Sequence, residues 1–82
     1  MNWTIEELNM VRERIKFIAT RRTGANNPWK RIAKVAGCHP HNVKIFLQKG
    51  VKYPKLQHRR MIVEANKIIT EYTRIPVNNE ED

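Results

Sequence analysis

Between Glu13 and Glu64 the chain has no aspartate and no glutamate. That gap excludes a surface of balanced charge over most of the sequence. It holds thirteen of the sixteen lysines and arginines, while the eight acids are confined to the two ends. Cysteine is almost as scarce: Cys38 stands alone, which excludes an internal disulfide and the disulfide framework of small secreted domains. No apolar run approaches the ~20 residues that span a bilayer. Glu6 and Glu7 precede any apolar run, so no signal peptide is expected. No stretch alternates with period two, no segment repeats, and no glycine-rich phosphate loop occurs. No carboxylate pair lies near a histidine, so the sequence makes no case for an enzyme or for a cofactor.

What is present is charge and helical periodicity. The formal net charge is +8 over 82 residues, with a sequence pI near 10.2. A surface cationic through its middle binds polyanions by releasing their counterions. Solubility alone, or a ribosomal or membrane-surface partner, would call for a similar excess. The expected location is cytoplasmic, on the nucleoid if the cell is bacterial, with no membrane partner.

Thr4 and Glu7 form a capping-box pattern, and Trp3 and Leu8 are spaced for a hydrophobic staple. Ile5, Leu8, Val11, Ile15 and Ile18 then recur at threes and fours, predicting a helix from Ile5 to about Arg21. Met10 and Phe17 widen its expected buried face, with Arg12, Glu13, Arg14 and Lys16 on the wet side. Thr23 to Asn27 has loop composition. Asn27-Pro28 and His39-Pro40 are two helix starts, each a capping residue followed by a first-turn proline. They predict helices from Pro28 to Ala36 and from Pro40 to Lys49, closed by Gly37 and Gly50. The first buries Trp29, Ile32, Ala33 and Ala36, the second Val43, Phe46 and Leu47. A last helix is expected from about Pro54 to Tyr72, with Leu56, Ile62, Ala65, Ile69 and Tyr72 inward. The sequence thus predicts an all-α, four-helix compact domain over residues 1–73 and a flexible acidic tail over 74–82. Removing Glu80, Glu81 and Asp82 would raise the net charge from +8 to +11, a tail able to mask the basic face.

Two short helices meeting at Gly37, inside a basic chain, read as a helix-turn-helix over residues 28–49. This is a DNA-binding unit whose second helix enters the major groove. Ile32-Ala33-Lys34-Val35-Ala36-Gly37-Cys38-His39, followed by Val43 and Leu47, resembles the I/V-A-x-x-A-G-V-S pattern and core valine of the DNA-binding headpiece of the lac repressor family. That family is lambda-repressor-like. Arg59, Ile62, Ala65 and Ile69 continue the likeness through the next helix, so it covers roughly Pro28 to Tyr72. The chain departs by carrying a long helix ahead of the motif, and no effector-binding domain follows within these 82 residues.

The resemblance places base readers at Pro40, His41 and Ile45. Pro40 and Ile45 offer only apolar contact to thymine methyls, so hydrogen-bonded readout falls to His41 and the neighbouring Asn42. Ile45 is alternatively a core residue of a rotated helix. Phosphate contacts are expected from Lys30, Arg31, Lys44, Lys49, Lys52, Tyr53 and Lys55, helped by the amides at the starts of the two helices. Each lysine alone also reads as an ordinary solvated side chain; together they outline a track. Arg59 is as consistent with anchoring the last helix. Cys38, His39 and His41 cannot complete a four-ligand zinc site by themselves, and Cys38 fits a small buried position after the turn.

The expected function is sequence-specific binding of double-stranded DNA, as a small transcriptional regulator or mobile-element accessory protein, with a homodimer or a protein partner compatible. The alternatives are a protein-interaction module using Ile45, Pro40 and Tyr53, and a binder of structured RNA.

Overall fold

The computed structural model describes residues 3–81, with side chains for 3–73. Four helices, α1 Ile5–Ala19, α2 Pro28–Ala36, α3 Pro40–Lys49 and α4 Leu56–Glu81, form an all-α fold with no strand among the described residues. One 3-10 turn, Gly24–Asn26, lies in the loop expected before α2.

Local chemistry sets most boundaries. The Thr4 hydroxyl accepts from the Glu7 amide at 3.0 Å, and the Glu7 carboxylate accepts from the Thr4 amide at 2.9 Å. Two donors that the first helical turn leaves over are thereby satisfied. α1 ends two residues short of Arg21. There the Thr20 hydroxyl donates to the Phe17 carbonyl at 2.6 Å, and the amides of Arg21 and Arg22 converge on the Ile18 carbonyl. α2 begins where Asn27 Oδ1 accepts from the Trp29 amide at 2.9 Å. It closes at Gly37 in the left-handed conformation, φ 72°, with the Cys38 amide returning to the Ala33 carbonyl and the Gly37 amide to Lys34. That pair of reversed bonds is the Schellman closure, in which glycine avoids the Cβ clash of other residues. Cys38 and His39 then carry the chain to Pro40, and His39 Nδ1 caps α3 by accepting from the His41 amide at 3.1 Å.

α4 starts at Leu56, two residues after the expected Pro54. The Lys55 amide donates to His58 Nδ1 at 2.9 Å, so a ring three residues inside the helix caps its start. α4 continues as helix to Glu81, past the expected end at Tyr72. The flexible tail expected over 74–82 falls on residues whose side chains lie outside the described set.

The core collects one stripe from each helix: Leu8, Ile15 and Ile18; Trp29, Ile32, Ala33 and Ala36; Val43, Phe46 and Leu47; Met61, Ile62, Ala65 and Ile68. The α4 stripe is turned by about one residue from expectation. Met61 and Ile68 are buried, Ile69 and Tyr72 are half-buried, and Leu56 is exposed. Met61, Ala65, Ile68 and Tyr72, spaced 4-3-4, form the line that meets the other helices. The broad buried face expected of α1 is also corrected: Met10 and Phe17 lie outside, Phe17 being 51% exposed. Phe17 instead meets the Tyr72 ring edge-on at 6.2 Å and carries the Arg21 guanidinium 4.4 Å from its centroid. Phe17 and Tyr72 together line a surface groove with Ile18 and Ile69. Trp3 packs against the core and meets Phe46 edge-on at 6.3 Å. Among the described residues no helix is long and apolar enough to cross a membrane.

Candidate nucleic-acid interface

Burying Val43, Phe46 and Leu47 fixes the rotation of α3 and so decides what it shows to solvent. His41, Asn42, Lys44, Ile45 and Gln48 are exposed, and Pro40 is half-exposed at the first turn. Ile45 is 42% exposed, which places it on the surface and not in the core. All four residues expected to read bases therefore lie on the accessible part of α3, with His41 and Asn42 on its first turn. The two are not equivalent: at 100° per residue, His41, Ile45 and Gln48 share one face, while Asn42 flanks it.

Lys49, Lys52, Tyr53 and Lys55 are exposed along the end of α3 and the connector, Tyr53 by 77%. The Lys52 ammonium lies 5.5 Å from the Tyr53 ring centroid. Lys30 is exposed on the first turn of α2, and Arg59 is exposed on α4. Arg31 is different. Its guanidinium reaches Glu64 and Glu71, both at 3.2 Å, and so ties α2 to α4. The hydrogen bond from Arg31 holds the Glu71 carboxyl below its usual pKa, and the Glu71 bond raises that of Arg31. The structure thus gives Arg31 carboxylate partners where a phosphate was expected.

The helix starts also differ from expectation. Pro28 has no amide hydrogen, the Trp29 amide is held by Asn27 Oδ1, and the Lys30 and Arg31 amides both donate to the Asn27 carbonyl. At α3 the His41 amide is held by His39 Nδ1 and that of Asn42 by the His39 carbonyl. Both starts keep the positive end of the helix dipole, but their leading amides already have acceptors.

Cys38 is half-buried against the core, where burial pushes its thiol pKa up. His39 points one ring nitrogen at its cap. His58 is stacked on Phe46 with centroids 4.5 Å apart, and burial, then the nearby Lys55 charge, lower its pKa. Neither histidine is free to act as a ligand through Nδ1.

Sequence reasoning missed a cluster beside α3. Arg12 and Lys16 of α1, Trp29 of α2 and Lys44 of α3 line one concavity, with the Lys44 ammonium 5.5 Å from the Trp29 ring. The four-residue spacing of Arg12 and Lys16 on one helix face was the available signal; that Lys44 joins them is a tertiary fact. Comparison with protein families, curated proteins and solved structures returned no match.

Proposed function

We propose that the chain binds double-stranded DNA sequence-specifically as a helix-turn-helix protein, with α2 and α3 as the motif and α3 in the major groove. One observation carries the reading: the exposed face of α3, bearing His41 and Ile45, sits among exposed cations with no carboxylate anywhere from Arg14 to Val63. Phosphates attract such a surface without regard to sequence, and base edges are read only by what projects from the groove-facing helix. His41 can pair with a purine edge, Ile45 and Pro40 fit thymine methyls, and Asn42 reaches a base or a phosphate from the flank. Lys30, Lys44, Lys49, Lys52, Tyr53 and Lys55 serve the backbone. The lambda-repressor-like resemblance fits this arrangement, and a regulator of transcription or a mobile-element accessory protein would use it.

Selection of bound sites from a random duplex pool tests the reading. A shared motif is expected, palindromic if two copies bind together; a pool that never converges would remove sequence specificity. Affinity should also fall steeply with added salt, and His41→Ala should narrow the gap between selected and random duplex.

A second reading is favoured by the exposed apolar side chains around the connector, namely Ile45, Val51, Tyr53 and Leu56. Such a patch suits a protein partner. Binding that barely responds to salt would favour it over DNA, and preference for folded RNA in competition with duplex would favour an RNA role.

A further inference from the structure

The concavity lined by Arg12, Lys16, Trp29 and Lys44 measures about 280 Å³. It lies where α1, the first turn of α2 and the flank of α3 meet. Three of its four lining residues are cations, and the fourth is an indole only 7% exposed. Trp29 is thus the buried part of the lining, and the Lys44 ammonium lies over its ring, 5.5 Å from the centroid.

Arg12 is the unusual member. Its side chain is only 25% exposed, and its buried Nε has no hydrogen-bond partner. Its fork donates to Glu13 Oε2 at 2.9 Å, and the Lys16 ammonium lies 3.7 Å from the same oxygen. Glu13 does not line the concavity. Three cations less one carboxylate leave two positive charges facing a small cavity. A guanidinium part-buried with one N–H unpaired is poorly satisfied by the protein alone. A tetrahedral anion supplies several acceptor oxygens at once, which suits a fork and two ammonium groups.

We propose that Arg12, Lys16 and Lys44 form a seat for one backbone phosphate of the duplex, at the edge of the groove that α3 enters. The assignment rests on the DNA-binding reading above. Position supports it. The first turn of α2 would ordinarily offer amides to a phosphate, but here those amides are bonded to Asn27 or missing at Pro28. Side chains from α1 and α3 supply the charge that the helix start does not. Arg12 turns its fork from Glu13 to the phosphate. A seat built from three helices also fixes the angle at which α3 meets the groove, because Lys44 lies on α3 itself.

Duplex affinity measured by fluorescence anisotropy over a salt series tests the proposal. Wild type, Arg12→Gln, Lys16→Gln, Arg12→Gln/Lys44→Gln and the triple glutamine variant are compared, each checked for helix content. Because the cations share one phosphate, the single and double variants should weaken binding with only a partial change of slope. The triple variant should lower the slope of log K against log salt by about 0.9 in all. Lys30→Gln/Lys52→Gln, at two separate phosphates, should lower it by about 1.8. Unchanged affinity and slope in the Arg12 and Lys16 variants, with wild type still binding, would overturn the seat and leave the DNA reading standing. Loss of about 0.9 at each successive substitution would overturn sharing. Failure of wild type to bind any duplex would remove both. Inorganic phosphate alone separates the remaining source: if it shifts the Trp29 indole N–H resonance while the glutamine variants leave the duplex slope untouched, the seat serves a free anion.

Discussion

Gly37 and Gly50 both have φ near 72°, yet they differ in what a methyl group would meet. At Gly37 a Cβ finds nothing within 4 Å, whereas at Gly50 it meets the Ile5 and Leu8 Cδ1 atoms, each at 3.0 Å. Gly50 also has ψ −178°, a combination adopted almost only by glycine. Gly37→Ala should therefore cost about 1–2 kcal/mol, the penalty of left-handed backbone for a residue with a Cβ. Gly50→Ala should cost more, about 2–3 kcal/mol, from strain and crowding together. Urea unfolding midpoints read the order directly, and equal losses would contradict it. His58 sets a second expectation. It must stay neutral at Nδ1 to accept from Lys55, and its pKa lies below the ordinary 6.5 because of burial and the Lys55 charge. Below that ordinary value the unfolded chain takes up the proton first. The His58 contribution is thus complete above about pH 6.5 and declines as pH falls through the folded pKa. Thermal midpoints should drop between neutral and mildly acidic pH, and His58→Gln should flatten that drop. The glycines were legible as helix stops from sequence. The His58 cap was not, because histidine three residues inside a helix gives no distinctive signal.

At the scale of elements, α2 and α3 were the most readable because each carries its own start and stop: Asn27-Pro28 to Gly37, and His39-Pro40 to Gly50. Periodicity gave the right core for both, since their apolar residues are few and lie on one face. α1 and α4 were less readable for the same physical reason. Each has more apolar residues than the fold has room to bury, so tertiary packing chooses among them. Phe17 and Met10 lost that choice on α1, and Met61 and Ile68 gained it over Leu56 on α4. The Arg31 bridge belongs to this level, since no local pattern pairs residues 31, 64 and 71. Arg31→Gln leaves the half-buried Glu64 without its cation, and a loss of about 1–3 kcal/mol is expected. The thermal midpoint should fall while the salt slope of duplex binding stays at the wild-type value. A reduced slope in correctly folded Arg31→Gln would restore Arg31 to the phosphate track.

Across the whole molecule the sorting of charge is the dominant feature. The described carboxylates that make ion pairs, Glu13, Glu64 and Glu71, sit on α1 and α4, and α2, α3 and the connector have none. Glu64 and Glu71 hold α4 to α2, so the acids serve the fold while the unpaired lysines line α3 and its flanks. Charge excess was legible in the sequence; its gathering around one helix, with Arg12 and Lys16 drawn in from α1, required the fold. The central claim is that the exposed face of α3 is the docking surface for duplex DNA. Two variants with the same charge change separate that claim from simple loss of net charge: Ile45→Glu on α3, and Val63→Glu on the outer face of α4, where Val63 is 68% exposed. The deciding measurement is their affinity for one duplex beside wild type. Ile45→Glu should weaken binding by tenfold or more, about 1.4 kcal/mol or above, because a carboxylate on the docking face would then meet phosphates and base edges. Val63→Glu should stay within about threefold of wild type, since a remote surface charge acts only through a screened field. Equal losses in the two variants, or no loss at Ile45, would contradict the docking of α3 in the groove.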